Sequence, residues 1–554
     1  MVQPAPPVPV STPIRPDDGG ARTARGPLGA ALALAAALCA LATADLVRSR
    51  ANLLHYDAKA HLLVARRVLD SLTPGWFQLG AVWLPLPHVL NMLPAQSDAL
   101  YASGAAGSAI GCAAFLLGAA GLALAAARAT RDSWAGVVAL AVVVGNPGWL
   151  YVQGTPLSEP VFLGPLGLLA LFLVRWRQDG RPRDLHLAAL CAALACLARY
   201  EAWPIVALCA PLTLRHGLRG WTAAARFLGL GLVLPLAYFG FHSWMADGIV
   251  FYVMPAYHLT EDRAPLGRAL GILLKATAEG LGWPLLAATA LAWVALAVRR
   301  GVLLPLSLAC AAGAWVTLTA YLAGHPSYAR YALLLSPVPA LALAGATRGR
   351  RAAQAAALAV AVTQGLAVGT PAPAVAEATR WIHFGEQRRP AINAFRCAYR
   401  GGRLLAAMAA TGHVLYELQI PVREVVFENN KQLWRRALGS PRGVASWVLV
   451  TEGDTIDRVR RQDPTLLEGY LPFATFRRSV LYRAAQGASA PSDANSVPSA
   501  QPTSAAPKAT PANSSPDSSS GRPVSTPLNT PTPSRAATDS AQDTGRASRS
   551  SPAR

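Results

Sequence analysis

Apolar runs of membrane length recur from about residue 28 to about residue 370, and they fix the fold class before any single residue is weighed. A hydrocarbon core roughly 30 Å thick takes about 20 helical residues to cross, and a segment inside it must satisfy its own backbone hydrogen bonds. The runs read as about eleven helical spans. They lie at residues 28–47, 101–127, 134–152, 158–174, 185–198, 201–214, 222–242, 281–298, 302–323, 328–346 and 352–369. Composition agrees, because 53% of the 554 residues are hydrophobic and only 14% are charged, against about 25% charged in a soluble domain. The expected fold class is an α-helical polytopic membrane protein with a small C-terminal α/β extramembrane domain. Residues 1–25 lack the apolar centre of a signal peptide, so the run at 28–47 reads as the first span.

The net charge of +21 does not point to nucleic acid. The arginines cluster in short connections between apolar runs, and a basic groove interleaved with aromatics is missing. They fall at alternate connections: Arg128 and Arg131; Arg175, Arg177, Arg181 and Arg183; Arg215 and Arg219; Arg299 and Arg300; Arg348, Arg350 and Arg351. Positive charge held on the cytoplasmic side then places the N-terminus inside and the C-terminal part outside. One connection breaks the pattern. Arg48, Arg50, Lys59, Arg66 and Arg67 lie in the first, external loop, where cations serve something other than topology, an anionic ligand being the natural candidate. The seven cysteines form no Cys-x-x-Cys pair and mostly sit in apolar runs, which argues against a disulfide framework or a zinc site.

Four segments of the chain are expected. Residues 1–27 read as a disordered cytoplasmic N-terminus and residues 28–370 as the transmembrane domain. Residues 375–485 read as an external α/β domain, with strand-like runs at 413–416, 423–427, 447–450 and 476–482. Residues 486–554 are dominated by Ser, Pro, Thr and Ala and have too little apolar surface to offset the entropy of ordering.

On this topology the unusual polar residues gather at one membrane face. The first loop carries Asp57 and His61, four apart and so on one side of a helix. Glu159 stands in Ser158-Glu159-Pro160 at the start of the fourth span. Arg199-Tyr200-Glu201 interrupts an apolar stretch at the tip of a helical hairpin, and His325 and the Arg330-Tyr331 pair open the tenth span. Charges beside hydrocarbon are costly and mark functional sites by default. Each also has a plainer reading: Glu159 suits a helix N-terminus, Arg199 and Glu201 neutralise each other, and Arg330 anchors at the interface. The segment Trp83-Leu84-Pro85-Leu86-Pro87-His88 is too broken by proline to span and reads as re-entrant or interfacial, with Trp76 and Trp83 as interfacial anchors in preference to the alternative of sugar-stacking platforms.

These residues resemble the GT-C superfamily of integral membrane glycosyltransferases. The likeness is to the bacterial branch of glycosyltransferase family 39, near the aminoarabinose transferases and protein O-mannosyltransferases. It rests on Tyr56-Asp57, Ser158-Glu159-Pro160, Arg199-Tyr200-Glu201-Ala202-Trp203 and Arg330-Tyr331, and covers roughly residues 28–370. The resemblance implies sugar transfer from a polyprenyl-phosphate donor to a glycan, lipid or protein acceptor at the external face of a bacterial cytoplasmic membrane. Many members follow the loop aspartate with a second acid. Here Ala58 follows Asp57, so Glu159 or Glu201 has to supply any second carboxylate.

The chemistry agrees with the residue types. A sugar phosphate carries a good leaving group, so the site needs a carboxylate to take the acceptor's proton and cations to hold the departing phosphate. Asp57 suits the first role, with Glu159 and Glu201 as further catalytic candidates. Arg199, Arg330, Lys59, Arg66 and Arg67 suit the second, and His61, Tyr200, His325 and Tyr331 are candidate substrate contacts. A divalent metal held by Asp57 and His61 is a further expectation. The competing classes are a secondary transporter, which would show paired repeats with charges near the midplane, and a polysaccharide ligase or polymerase using lipid-linked glycans.

Overall fold

The computed structural model describes residues 26–80, 83–214, 217–245, 264–299, 301–368 and 371–485. The expected disorder of residues 1–25 and 486–554 lies outside the described residues. Helix α1 (Pro27–Arg48) leads to α2 (Tyr56–Arg67), which runs between the first two membrane-length helices. Then follow α3 (Leu86–Met92), α4 (Ala105–Thr130), α5 (Ser133–Val144), α6 (Ser158–Asp179), α7 (Pro182–Ala198), α8 (Ala202–Cys209) and α9 (Gly217–Met245). The chain continues through α10 (Leu266–Leu281), α11 (Trp283–Arg299), α12 (Leu303–Ala311), α13 (Ala314–Leu322), α14 (Pro337–Ala346) and α15 (Arg351–Val368).

Among the described residues, six helical segments are long and apolar enough to cross a membrane, and a seventh arises if α10 and α11, bent by 103° at their junction, count as one broken span. The other apolar runs of the sequence are also helical but shorter or interrupted. α5 and the α8 segment (Ala202–Thr213) are examples. Lipid tails give helices no hydrophobic reason to associate, so close packing must come from small residues. The contact between α4 and α6 shows this. A Cβ on Gly118 would stand 2.3 Å from the Leu163 carbonyl oxygen, and one on Gly167 would stand 2.0 Å from that of Gly118. The backbones therefore touch, which fixes the top of α6 and the carboxylate it carries.

After α15 the chain forms α16 (Pro373–Ala398), α17 (Met408–Leu418) and a five-stranded sheet of order β2-β1-β3-β5-β4. The strands are β1 (Leu404–Ala406), β2 (Val425–Val426), β3 (Trp447–Thr451), β4 (Tyr470–Phe476) and β5 (Ser479–Ala484). β1 pairs in parallel with β2 and β3, while β5 is antiparallel to β3 and β4. One expected strand is corrected. Residues 413–416 lie inside α17, because Val414, Leu415 and Leu418 recur at helical spacing and bury one stripe against the sheet core.

α17 packs on α2. Gly412 lies over Leu63 and Ala60, and Tyr416 donates to the Tyr101 carbonyl at 2.6 Å. α2 is thus gripped by this C-terminal part as well as by the bundle.

Candidate active site

Helix α2 owes its start to the residues before it. The His55 ring accepts from the Asp57 N–H at 3.1 Å, capping the helix, and Asp57 in the first turn and Arg66 and Arg67 in the last suit the helix dipole. His55 Nε2 lies 2.9 Å from Glu377 and also meets the Arg330 guanidinium.

One face of α2 lines a cavity of about 550 Å³. Asp57, Ala60, His61, Val64 and Arg67 recur along it at helical spacing. The remaining walls come from the start of α6 (Ser158, Glu159), the α7–α8 turn (Arg199, Tyr200, Glu201), the approach to α14 (His325, Tyr328, Arg330, Tyr331), Trp83, Trp381 and α17.

Arg330 is the hub of the charged end. Its guanidinium pairs with Asp57, with Glu377 and, at 2.8 Å, with Glu159. Tyr328 and Tyr331 lie under its planar face at 4.6 and 5.2 Å. Arg199 forms a fork with Glu201 at 2.7 and 3.1 Å, reaches Glu159 at 3.2 Å and donates to Ser158 at 2.9 Å. Four carboxylates therefore meet two guanidiniums, and each is buried. Two acceptors are left over, since Asp57 Oδ1 and Glu159 Oε2 are buried without a hydrogen-bond partner. Burial alone would raise the Asp57 pKa, but Arg330 and His55 outweigh it and hold the carboxyl below its ordinary range.

The other end of the face is set by Arg67. Its Nε donates to the Gln78 carbonyl at 2.6 Å, its Nη1 to the Met408 sulfur at 3.0 Å, and it lies 5.6 Å from the Phe427 ring centre. Gly80, at φ +80°, closes over it, and a Cβ there would stand 2.7 Å from Nη2. Among the described residues no carboxylate pairs with Arg67, and burial pulls its pKa down to about 10. Glu428, which lines the same cavity, acts on Arg67 from beyond ion-pair distance, so the guanidinium keeps room for an anion.

Of the sequence candidates, the structure brings Asp57, His61, Arg67, Glu159, Arg199, Tyr200, Glu201, His325, Arg330 and Tyr331 to one cavity. Lys59 and Arg66 leave it. Lys59 pairs with Glu417 at 2.5 Å, and Arg66 with Asp70 at 2.9 Å and Asp98 at 2.6 Å, because both project from the other side of α2. Trp83 is also corrected: it stacks on His61 at 4.2 Å and faces the cavity. Trp76 is exposed.

As for a metal, no group of three or more His, Cys, Asp or Glu side chains among the described residues is placed to hold one.

Sequence reasoning missed Glu377, His55 and His88. Glu377 had a signal, as an isolated acid in the Ala-rich start of α16. His55 had one as the residue preceding a helix with Asp57 in its first turn. His88 had none beyond its place in a proline-broken segment.

No family model and no curated protein sequence matches the chain. Among solved structures it is similar to ArnT from Cupriavidus metallidurans bound to undecaprenyl phosphate. The TM-score is 0.55 at 12% identity, over 78% of this chain and 94% of that one. The apo form of the same ArnT gives a TM-score of 0.52 at 10% identity, over 77% and 92%.

The chain shares its fold with ArnT. With its apolar helices, the chain is an integral membrane protein.

Proposed function

We propose that the protein is a membrane glycosyltransferase that moves a sugar from a polyprenyl-phosphate donor to an acceptor hydroxyl. The reaction is placed at the external face of a bacterial cytoplasmic membrane, with glycan, lipid or protein as acceptor. The observation that carries the reading is the cavity face of α2. It holds a carboxylate with an unpartnered buried oxygen at one end and an arginine without a carboxylate partner among the described residues at the other. The fold shared with a protein solved with undecaprenyl phosphate supports the same donor class.

In this reading Asp57 accepts the acceptor's proton through Oδ1 as the acceptor oxygen bonds to the anomeric carbon. The bond from that carbon to the phosphate oxygen breaks, and its electron pair leaves on the phosphate. Arg67 meets the charge that develops there, in a dry site where a fixed cation is worth far more than in water. Arg330 and Arg199 hold Asp57, Glu159 and Glu201 in place through ion pairs, and Glu159 supplies the second carboxylate that Ala58 does not.

The test is turnover of the purified, membrane-reconstituted protein with polyprenyl-phosphate sugars. Asp57→Asn should remove transfer while donor binding survives. Wild-type turnover in that variant overturns the assignment.

A further inference from the structure

One turn beyond Asp57 the cavity wall changes character. His61, Trp83 and His88 form a stack, with ring centres of His61 and Trp83 4.2 Å apart and those of Trp83 and His88 5.9 Å apart. His61 and Trp83 line the cavity, whereas His88 is fully buried behind them. His61 Nδ1 meets His88 Nε2 at 2.8 Å, so one of the two nitrogens must donate and the other accept.

The surroundings of His88 decide which. Its Nδ1 has no close hydrogen-bond partner, and the backbone group it faces is the Leu84 carbonyl. The His88 N–H turns to the Pro85 carbonyl, leaving that of Leu84 outside the helical ladder. A carbonyl tolerates an N–H and repels a lone pair, so the His88 proton belongs on Nδ1 and its Nε2 accepts from His61. His61 therefore turns an Nε2 lone pair toward the cavity. Both rings are neutral at pH 7, burial holding His61 down to about 4. The charges around His61 are Asp57 on its own helix, Glu159, Arg199 and Arg330, and Arg67 stands near His88.

We propose that the His61–Trp83 wall is the subsite for the sugar ring carried by the lipid phosphate. In it Trp83 offers its π surface to the ring, His61 Nε2 accepts from a ring hydroxyl, and His88 acts as a positioning residue that fixes the His61 tautomer. The inference rests on the glycosyltransferase reading. Scale supports it. Four residues of helix rise about 6 Å, which matches the width of one monosaccharide. Asp57 and Arg67 are ten residues, about 15 Å of helix rise, apart, and a ring over His61 lies between them on the cavity face of the helix. Chemistry supports it too, because an acceptor lone pair beside an aromatic face suits a polyhydroxyl ring, whereas a phosphate has no use for a neutral acceptor and a prenyl tail has no donor for it.

The experiment measures binding by the full-length protein in nanodiscs. The probes are undecaprenyl phosphate and a panel of undecaprenyl-phosphate glucose, mannose, galactose and arabinose. Wild-type protein should bind at least one sugar-bearing lipid about 10-fold or more tighter than undecaprenyl phosphate. His61→Ala and Trp83→Leu should bring that ratio to about 1, with affinity for undecaprenyl phosphate within about twofold of wild type. His88→Leu should lower the ratio severalfold, and His88→Gln, which keeps an acceptor at the position of Nε2, should restore most of it. Variants that keep the wild-type ratio, or lose undecaprenyl phosphate itself, overturn this subsite and leave the glycosyltransferase reading standing. A wild-type protein that binds undecaprenyl phosphate but none of the sugars more tightly does the same. Failure to bind any of the lipids sinks both.

Discussion

Arg66 and Arg67 are neighbours in sequence and opposites in the fold. Arg66 looks away from the cavity. It pairs with Asp70 and Asp98 and lies on the Tyr101 ring at 4.6 Å, while Asp70 also accepts from the Arg423 side chain at 3.0 Å. Lys59, one heptad earlier on the same side, shares Glu417 with Arg388. Every charge on that back face is matched by a carboxylate, and the matched pairs tie α2 to the C-terminal part. The cavity face is left incomplete, with a spare oxygen on Asp57 and an arginine that pairs with none of the described carboxylates. A satisfied charge holds structure together, whereas a buried one left incomplete costs free energy and persists for a ligand.

That contrast can be broken by substitution. On the cavity face, Asp57→Asn should cut turnover about 1000-fold, within the range for a lost general base. Its thermal midpoint should stay near wild type, because Arg330 keeps Glu159 and Glu377. Arg67→Met should weaken undecaprenyl phosphate binding about 10- to 100-fold, the loss of one charge-assisted hydrogen-bonding group. It should leave stability unchanged or raised, since a desolvated cation is removed, and denaturant titration beside lipid binding would expose the opposite pattern.

On the back face the sign reverses. Arg66→Met should cost about 2 kcal/mol of stability by leaving the buried Asp70 carboxylate with Arg423 as its one remaining cation among the described residues, with kcat/KM of the folded fraction within about threefold of wild type. If Arg66→Met instead abolishes activity without loss of stability, the two faces are not divided as described.

The smallest effect concerns pH. Asp57 must be ionised to act, and its pKa lies below the ordinary carboxylate range, first against burial and then through Arg330 and His55. Activity should therefore be flat at neutral pH and fall only as pH drops through that lowered value. A kcat/KM profile that already declines between pH 7 and 5 would contradict this, and would show Asp57 held less firmly by Arg330.

Much of the site was legible in the sequence because charge beside hydrocarbon is rare. Asp57, Glu159, Arg199, Glu201 and Arg330 stood out for that reason, and they do meet in the fold. Lys59 and Arg66 stood out equally and meet elsewhere, since a loop sequence does not say which side of its helix will face a cavity. Glu377 was overlooked because it follows the last apolar run, where an acid costs nothing until α16 folds back on Arg330. Trp83 read as an interfacial anchor because only the fold shows that His61 lies against it.

By itself the sequence determined that this chain is helical where it is apolar. Backbone groups in a bilayer have no partner but one another, and that constraint needs no tertiary knowledge. It also marked the first loop as unusual, since its cations break the alternation that orders all the others. The tertiary structure alone decided which of those cations would be neutralised. Ion pairing depends on distances of a few ångströms between residues hundreds apart, such as Lys59 with Glu417 or Asp57 with Arg330. Nothing local in the chain encodes them.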